Sequence, residues 1–146
     1  MCPFCTDKDV RERVVIENDL AFAFLTQSPI VEGHVLLCPK RCLKYYEELT
    51  PEEKQAVEAL RQSVKLALSK SHSAVGFNYA WNEEKIGGQS VDHFHLHIIP
   101  RKPGDTGVYN YEPRQFLYRS SNVNDRTQFT ARSLEEVVQT IKSCIE

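Results

Sequence analysis

The chain has little net charge and lacks a long apolar run. Its formal net charge is −2 over 146 residues, which gives no indication of a broad nucleic-acid or membrane-binding surface. No uninterrupted apolar stretch reaches the length that spanning a bilayer requires. The opening residues, MCPFC, lack a basic region followed by an apolar stretch, so we expect no signal peptide. These absences predict a cytoplasmic protein with neither a nucleic-acid nor a membrane partner.

The sequence also lacks internal repeats and any recognisable domain linker. Hydrophobic residues make up 41% and charged residues 26% of the chain, which is ordinary for a globular protein. We therefore expect one domain over residues 1–146 with a substantial core. The five cysteines are an odd number. Without a secretory signal, they indicate free thiols or metal ligands in a reducing compartment and not a disulfide framework.

Three of the five histidines fall on alternate positions in the stretch His93–Ile99. Alternation is the period of a β-strand, so all three imidazoles would project from one face, and Phe94, Leu96 and Ile98 from the other, toward a core. Three adjacent imidazoles cannot easily satisfy one another's hydrogen bonds. Chance histidines on a surface strand and a metal site made of all three are alternatives. Nucleophilic or acid–base chemistry is the interpretation that the pattern favours.

Periodicity and turn residues predict the remaining elements. The expected strands are 14–18, 20–25, 34–38 and 76–82, with Asn18-Asp19 as the turn of a hairpin. Thr50, Pro51 and Glu53 mark the start of a helix that runs to about Lys70 or Ser71. The buried face of this helix comprises Val57, Leu60, Val64 and Leu68. A terminal helix is also expected, and its buried face comprises Leu134, Val137, Val138, Ile141 and Ile145. This order predicts an α+β fold with an antiparallel sheet and two main helices. Residues 101–132 are expected to be irregular, with a short strand near 116–118.

Polar donors precede the histidine strand. Gly87 and Gly88 lie in a polar loop whose backbone amides could face an anion, and this loop delivers Gln89 and Ser90 to the strand. Such donors beside a nucleophile suit a phosphoryl pocket. His34, placed at the start of its strand by Gly33, is a candidate for the same pocket. His72 is explained by its place at a helix C-terminus, where a cation complements the dipole.

Cys2 and Cys5 have the spacing of half a tetrahedral zinc site, and also of a redox pair. A redox pair would follow a strand and open a helix, and no strand precedes this motif. A zinc site needs two further ligands, for which the candidates are the other cysteines (Cys38, Cys42 and Cys144) and the histidines.

The motif His-φ-His-φ-His-φ-φ, with φ apolar, resembles that of the histidine triad (HIT) superfamily of nucleotide hydrolases and transferases. The likeness includes Gly33–Leu36, Gly88–Val91 and His97–Lys102, the last similar to the Fhit-like branch. It covers roughly residues 2–104. Residues 105–146 show no motif of the family, and their lack of tryptophan differs from the Hint branch.

The resemblance implies a HIT-like fold, usually a homodimer, and two-step nucleotidyl transfer on purine nucleotides. The substrates would be diadenosine polyphosphates, nucleoside phosphoramidates or acyl-AMP. His95 would be the nucleophile that attacks the α-phosphate, and His97 would contact the phosphate and assist the leaving group. His34, Gln89, Ser90 and Asn82 would complete the pocket. A nucleotide-binding regulator or scaffold on the same fold is the alternative function.

The resemblance also implies a structural zinc site. Cys2, Cys5 and His93 match three of the ligand positions, and Cys42 stands where the family usually has histidine. Four filled positions would leave no place for a water molecule, so this zinc would not be catalytic. Thr26, with Gln27 beside it, stands where the family usually has an acidic or amide residue for the ribose hydroxyls. Either side chain would bind ribose more weakly than a carboxylate.

Overall fold

An antiparallel five-stranded sheet forms the centre of the structure, a computed structural model that describes residues 2–105 and 133–146. The strands are β1 (Val14–Glu17), β2 (Ala21–Leu25), β3 (Val35–Pro39), β4 (Gly76–Ala80) and β5 (Leu96–Arg101). Their order across the sheet is β1-β2-β3-β5-β4, so β5 is an inner strand. The α+β class and the antiparallel sheet expected from the sequence are confirmed.

Two main helices are present, as the sequence predicts, and both cover the same face of the sheet. The helices are α1 (Pro3–Thr6), α2 (Lys8–Glu12), α3 (Pro51–Ser71) and α4 (Leu134–Ser143), and single 3₁₀ turns span Tyr46–Glu48 and Lys85–Gly87. The sequence does not predict α1 and α2, because helices of four and five residues are too short to show a helical period. The expected strand near 116–118 and the rest of 106–132 lie outside the described residues.

Alternation along β2, β3 and β5 separates two apolar layers. The layer beneath α3 and α4 includes Ala21, Ala23, Leu25, Val35, Leu37, Leu96 and Ile98, together with Leu60, Val64 and Leu68 of α3 and Val137, Val138 and Ile141 of α4. The opposite layer comprises Phe22, Phe24, Leu36 and Cys38, covered by Phe4 of α1 and Val10 of α2. His97 of β5, opposite Leu36, therefore belongs to the face that α1 and α2 cover, and the rings of His93 and His95 contact Phe4 of α1.

The histidine strand begins later than its alternation predicts. β5 starts at Leu96, not His93, because the Phe94 amide donates to the carbonyl of Leu43, 2.7 Å away, in a loop and not in a strand. Phe94 packs in a separate cluster with Leu43 and Leu49 and not in the main core. β4 also ends two residues early, at Ala80.

Gly33 makes the tight turn that the sequence assigns to it. Its φ is +98°, and an added Cβ would lie 3.2 Å from Pro100 and 3.3 Å from both Leu68 and His72. Only glycine adopts this conformation readily and leaves room for its neighbours. The turn places His34 directly before β3.

The start of α3 is fixed by a capping box and an ion pair. Thr50 Oγ1 accepts from the Glu53 amide at 3.1 Å, and Glu53 Oε1 accepts from the Thr50 amide at 2.9 Å. Arg41 donates to both carboxylate oxygens of Glu53, at 2.7 and 3.1 Å. The Arg41 hydrogen bonds lower the pKa of Glu53 to about 2. The box therefore holds an ionised carboxylate that is almost fully buried.

Glu53→Gln is expected to lower the free energy of unfolding at pH 7 by about 1 kcal/mol, with exposed Arg41 screened by solvent. Because the folded pKa lies below the ordinary value of 4.5, the native protein has this contribution above that pH and loses it as pH falls toward 2. The difference between the two proteins should thus shrink over this window. Urea titrations at several pH values measure it, with Glu52→Gln as the control. A difference independent of pH would contradict the assignment.

Within residues 2–105 and 133–146, none of the helices combines the length and apolar character that crossing a bilayer demands.

Candidate active site and metal centre

Two neighbouring inner strands bring His34 and His97 together. Leu36 of β3 lies opposite His97 of β5, which places His34, two residues earlier, on the same face and nearby. His34 Nε2 is 3.0 Å from His97 Nδ1, and both rings are buried. The predicted proximity of these two residues is therefore present in the structure.

The hydrogen bonds assign a proton to one nitrogen of each ring. The Ile30 amide donates to His34 Nδ1 at 3.2 Å, so a neutral His34 carries its proton on Nε2. That proton faces His97 Nδ1, which must then accept. A neutral His97 consequently carries its proton on Nε2. The relay from Ile30 leaves His97 Nε2–H as a donor at the site.

His95 is held in the opposite tautomer. Its Nδ1 lies 2.8 Å from the backbone carbonyl of His93, which can only accept, so Nδ1 carries the proton. The lone pair is therefore on Nε2. The ring of His95 is buried, and its centroid is 5.1 Å from that of His97. The pair offers one nitrogen nucleophile and one N–H donor side by side.

The loop before the histidines is braced by Gln89. The buried Gln89 side chain accepts from the Glu84 amide at 3.1 Å and donates to the Lys44 carbonyl at 3.1 Å. Asn82 Nδ2 donates to the carbonyl of Gly88 at 3.4 Å, and Ser90 is exposed. The structure thus brings the predicted residues Asn82 and Gln89 into one loop. Their roles toward a substrate, and that of Ser90, stay predictions.

Glu84 is a feature that sequence reasoning missed. Its φ of 64° and ψ of 160° lie in a region that is essentially restricted to glycine. Lys44 Nζ donates to its carboxylate at 2.7 Å, and the Tyr45 hydroxyl donates to the other oxygen. These hydrogen bonds lower the pKa of Glu84. No sequence signal predicts an acidic residue in this conformation. The contacts of Glu84 with Lys44 and Tyr45 connect its loop to the segment that follows Cys42.

Thr26 lies across from His34. Its amide donates to the His34 carbonyl at 3.2 Å, which extends the β2–β3 ladder by one residue. The Thr26 hydroxyl accepts from the Ser28 amide at 3.2 Å and the residue is buried, whereas Gln27 is exposed. Thr26 and Gln27 both lie shortly before His34 in the sequence. Ribose binding by either residue stays a prediction.

Four potential metal ligands converge beside the histidine strand. The ligand atoms of Cys2, Cys5, Cys42 and His93 all lie within 4.8 Å of one another. His93 Nε2 donates to the Pro39 carbonyl at 2.7 Å, so its Nδ1 lone pair faces the sulfurs of Cys2 and Cys5, at 3.2 and 3.5 Å. Burial lowers the pKa of His93, which keeps the ring neutral. The tautomer and the protonation state are those that a metal ligand needs.

The thiols of Cys5 and Cys42 are costly to ionise without a cation. Burial, with hydrogen bonds to Cys2 and Cys42, raises the pKa of Cys5 to about 12, and burial likewise raises that of Cys42. A bound cation would reverse this effect, because it favours thiolates. Cys38 lies buried in the apolar layer and Cys144 caps α4, so neither belongs to the group. Three sulfurs and one imidazole nitrogen fit a structural zinc site.

The comparisons with known proteins agree on one family. A HIT domain family model matches residues 7–104. An uncharacterised 16.1 kDa HIT-like protein of Mycoplasma pneumoniae is 35% identical over 84% of this chain and 86% of its own. A bis(5′-adenosyl)-triphosphatase of Dictyostelium discoideum is 34% identical over 73% and 77%. The crystal structure of a hypothetical histidine triad nucleotide-binding protein from Sulfolobus tokodaii superimposes with a TM-score of 0.76, at 25% identity over 98% and 91%.

Proposed function

The chain belongs to the HIT domain family, and on this premise we propose that it hydrolyses AMP-containing nucleotides through a covalent nucleotidyl-His95 intermediate. Similarity to dinucleoside polyphosphate hydrolases supports a nucleotide hydrolase at the level of the family. The observation that carries the finer proposal is the pair of opposed tautomers at His95 and His97. The proposed substrates are diadenosine polyphosphates, nucleoside phosphoramidates and acyl-AMP.

In the proposed first step, the lone pair of His95 Nε2 attacks the α-phosphorus. A phosphorus–nitrogen bond forms, and the bond from phosphorus to the leaving group breaks. The leaving-group atom keeps the electron pair of the broken bond. The His95 ring becomes cationic and retains its Nδ1 proton. The Nδ1–H group donates a hydrogen bond to the His93 carbonyl at 2.8 Å. His97 Nε2–H donates a hydrogen bond to the phosphoryl group or leaving group. Preorganised dipoles of this kind favour the transition state over the ground state.

In the proposed second step, water attacks the same phosphorus. The phosphorus–nitrogen bond breaks, its electron pair returns to His95 Nε2, and AMP leaves while the water's proton passes to solvent. Two displacements replace one more difficult displacement, which is the advantage of a covalent intermediate. Neutral imidazoles suit this chemistry near pH 7.

The proposal also assigns the remaining components. Zinc would be held by Cys2, Cys5, Cys42 and His93, where it would supply structural cross-linking. Gln89, Ser90 and Asn82 would orient the phosphate and leaving group, and Thr26 the ribose. We also propose a homodimer and a cytoplasmic location, the latter because the five cysteines suit a reducing compartment.

Trapping the intermediate tests the proposed function. Rapid acid-free quenching of protein mixed with diadenosine triphosphate is expected to give chains heavier by one AMP residue, with the label on a peptide containing His95. Hydrolysis in ¹⁸O-water is expected to place the heavy oxygen on AMP and not on the released ADP, because water enters at the α-phosphorus. Label in ADP would contradict the mechanism. Tight AMP binding without turnover would favour the regulatory alternative.

A further inference from the structure

Phe4 connects the metal-ligand group to the nucleophile. It lies between Cys2 and Cys5 in the short helix α1, and only 9% of its surface is exposed. Its ring meets that of His95 edge-to-face, with centroids 5.1 Å apart and planes at 86°. Its centroid is also 5.7 Å from that of His93. One aromatic side chain therefore touches both a proposed ligand and the proposed nucleophile.

The backbone carbonyl of His93 and two neighbouring rings act on the orientation of the His95 ring. The His93 carbonyl fixes which nitrogen carries the proton. Phe4 packs against one side of the ring and His97, with centroids 5.1 Å apart, against another. Edge-to-face contact has a preferred geometry, so Phe4 restricts the directions in which His95 Nε2 can point.

Phe4 itself is held on two sides. Its ring packs edge-to-face on Phe24 of β2, with centroids 5.1 Å apart and planes at 67°. Its backbone is fixed by the flanking cysteines, since the Cys5 amide donates to the Cys2 carbonyl at 3.1 Å. Helix α1 has only four residues, so it has little stability of its own. The position of Phe4 consequently depends on what holds Cys2 and Cys5.

We propose that Phe4 is a positioning residue for His95, and that occupancy of the Cys2–Cys5–Cys42–His93 group sets the rate of nucleotidyl transfer through it. This inference rests on the proposed nucleophilic role of His95. Two contacts of the nucleophile, with the carbonyl of His93 and with the ring of Phe4, come from residues within or between the ligand positions. The group thus acts on the rate through ring orientation, without touching the substrate.

Two substitutions separate positioning from simple packing. Phe4→Leu keeps an apolar side chain on Phe24 but removes the aromatic edge from His95. Phe22→Leu is the matched control, because Phe22 belongs to the same apolar layer and stacks on Phe24 with centroids 5.7 Å apart. Phe4→Tyr keeps the ring and serves as the conservative rescue. Each variant is prepared with zinc, and its metal content and thermal midpoint are measured.

Single-turnover kinetics with an adenosine 5′-phosphoramidate is expected to show about tenfold slower nucleotidyl transfer in Phe4→Leu, with KM and AMP affinity within about twofold of the parent. Phe22→Leu should lose thermal stability but stay within about twofold in rate. Phe4→Tyr should recover most of the rate. Equal losses in both leucine variants, or a loss confined to KM, would overturn the proposal.

A second measurement does not depend on turnover. Nitrogen-15 spectra of the imidazoles are expected to show one Nδ1–H tautomer for His95 in the zinc-loaded parent. A mixture is expected in Phe4→Leu and after chelation, because a ring that turns away from the His93 carbonyl loses the hydrogen bond that holds the proton on Nδ1. A single tautomer in all three samples would refute the positioning role even if the parent is active. If chelation changes the tautomer of His95 in the parent but the parent turns over no substrate, the positioning role of Phe4 stands. That result would count against the proposed function instead.

Discussion

His95→Ala is expected to slow hydrolysis of diadenosine triphosphate by about 10⁴-fold or more, while AMP still binds. The substitution removes the atom that forms the bond to phosphorus, and the acceptor nitrogen of His34 is engaged by the Ile30 amide in the assigned tautomers. His97 Nδ1 accepts from His34, and its Nε2 carries the proton. The ring of His97 therefore cannot take over the attack without breaking the relay.

Steady-state rates and AMP titration by calorimetry measure this effect. His72→Asn is the matched control, because His72 caps the C-terminus of α3 and bonds to Glu32 at 2.9 Å. His95→Asn guards against a folding defect, since its thermal midpoint can be compared with that of the parent. Turnover within tenfold of the parent in either His95 variant would remove His95 from the mechanism.

Removing the cation is expected to lower the free energy of unfolding, in addition to its effect on the rate through Phe4. At a zinc concentration 1,000 times its dissociation constant, the folded state gains about 4 kcal/mol, and chelation would lose this amount. For a chain of this size the thermal midpoint should fall by on the order of 10 °C. The reason is that the ligands come from the N-terminal segment, the loop after β3 and the approach to β5, which the metal would tie together.

Substitution of Cys42 makes the same test specific to one ligand. Cys42→Ser should reduce zinc content and reproduce most of the stability loss, whereas Cys42→His should retain zinc, because imidazole nitrogen is also a good zinc ligand. Cys144→Ser is the control, since Cys144 lies at the end of α4. Metal analysis and thermal unfolding with and without chelator give the result. Full zinc content in Cys42→Ser would exclude Cys42 from the site.

The sequence predicts the elements whose patterns are local. Apolar runs bounded by turn residues predict β2 and β3, the capping residues predict the start of α3, and helical spacing predicts which face of α3 is buried. The start of β5 could not be predicted, because the Phe94 amide pairs with a loop carbonyl that belongs to residue 43. Local periodicity contains no information about such a partner.

The site was predictable as a set of residues but not as a network. Spacing and family resemblance point to His34, His95 and His97, and the same resemblance points to Cys42. The tautomers depend on the Ile30 amide and on the His93 carbonyl, whose positions follow from strand register and turns. Gln89 was predicted as a donor to substrate, and the structure adds its hydrogen bonds to the loop backbone, which residue type alone does not reveal.

The separation of the metal ligands along the chain bears on how the protein folds and unfolds. Cys2 and His93 are 91 positions apart, so a cation that joins them closes a loop of most of the described chain. Closing so long a loop is entropically costly, which places this contact late on the folding route. A contact that forms after the transition state slows unfolding and leaves the folding rate nearly unchanged. The ion would then slow unfolding and so lengthen the lifetime of the folded chain.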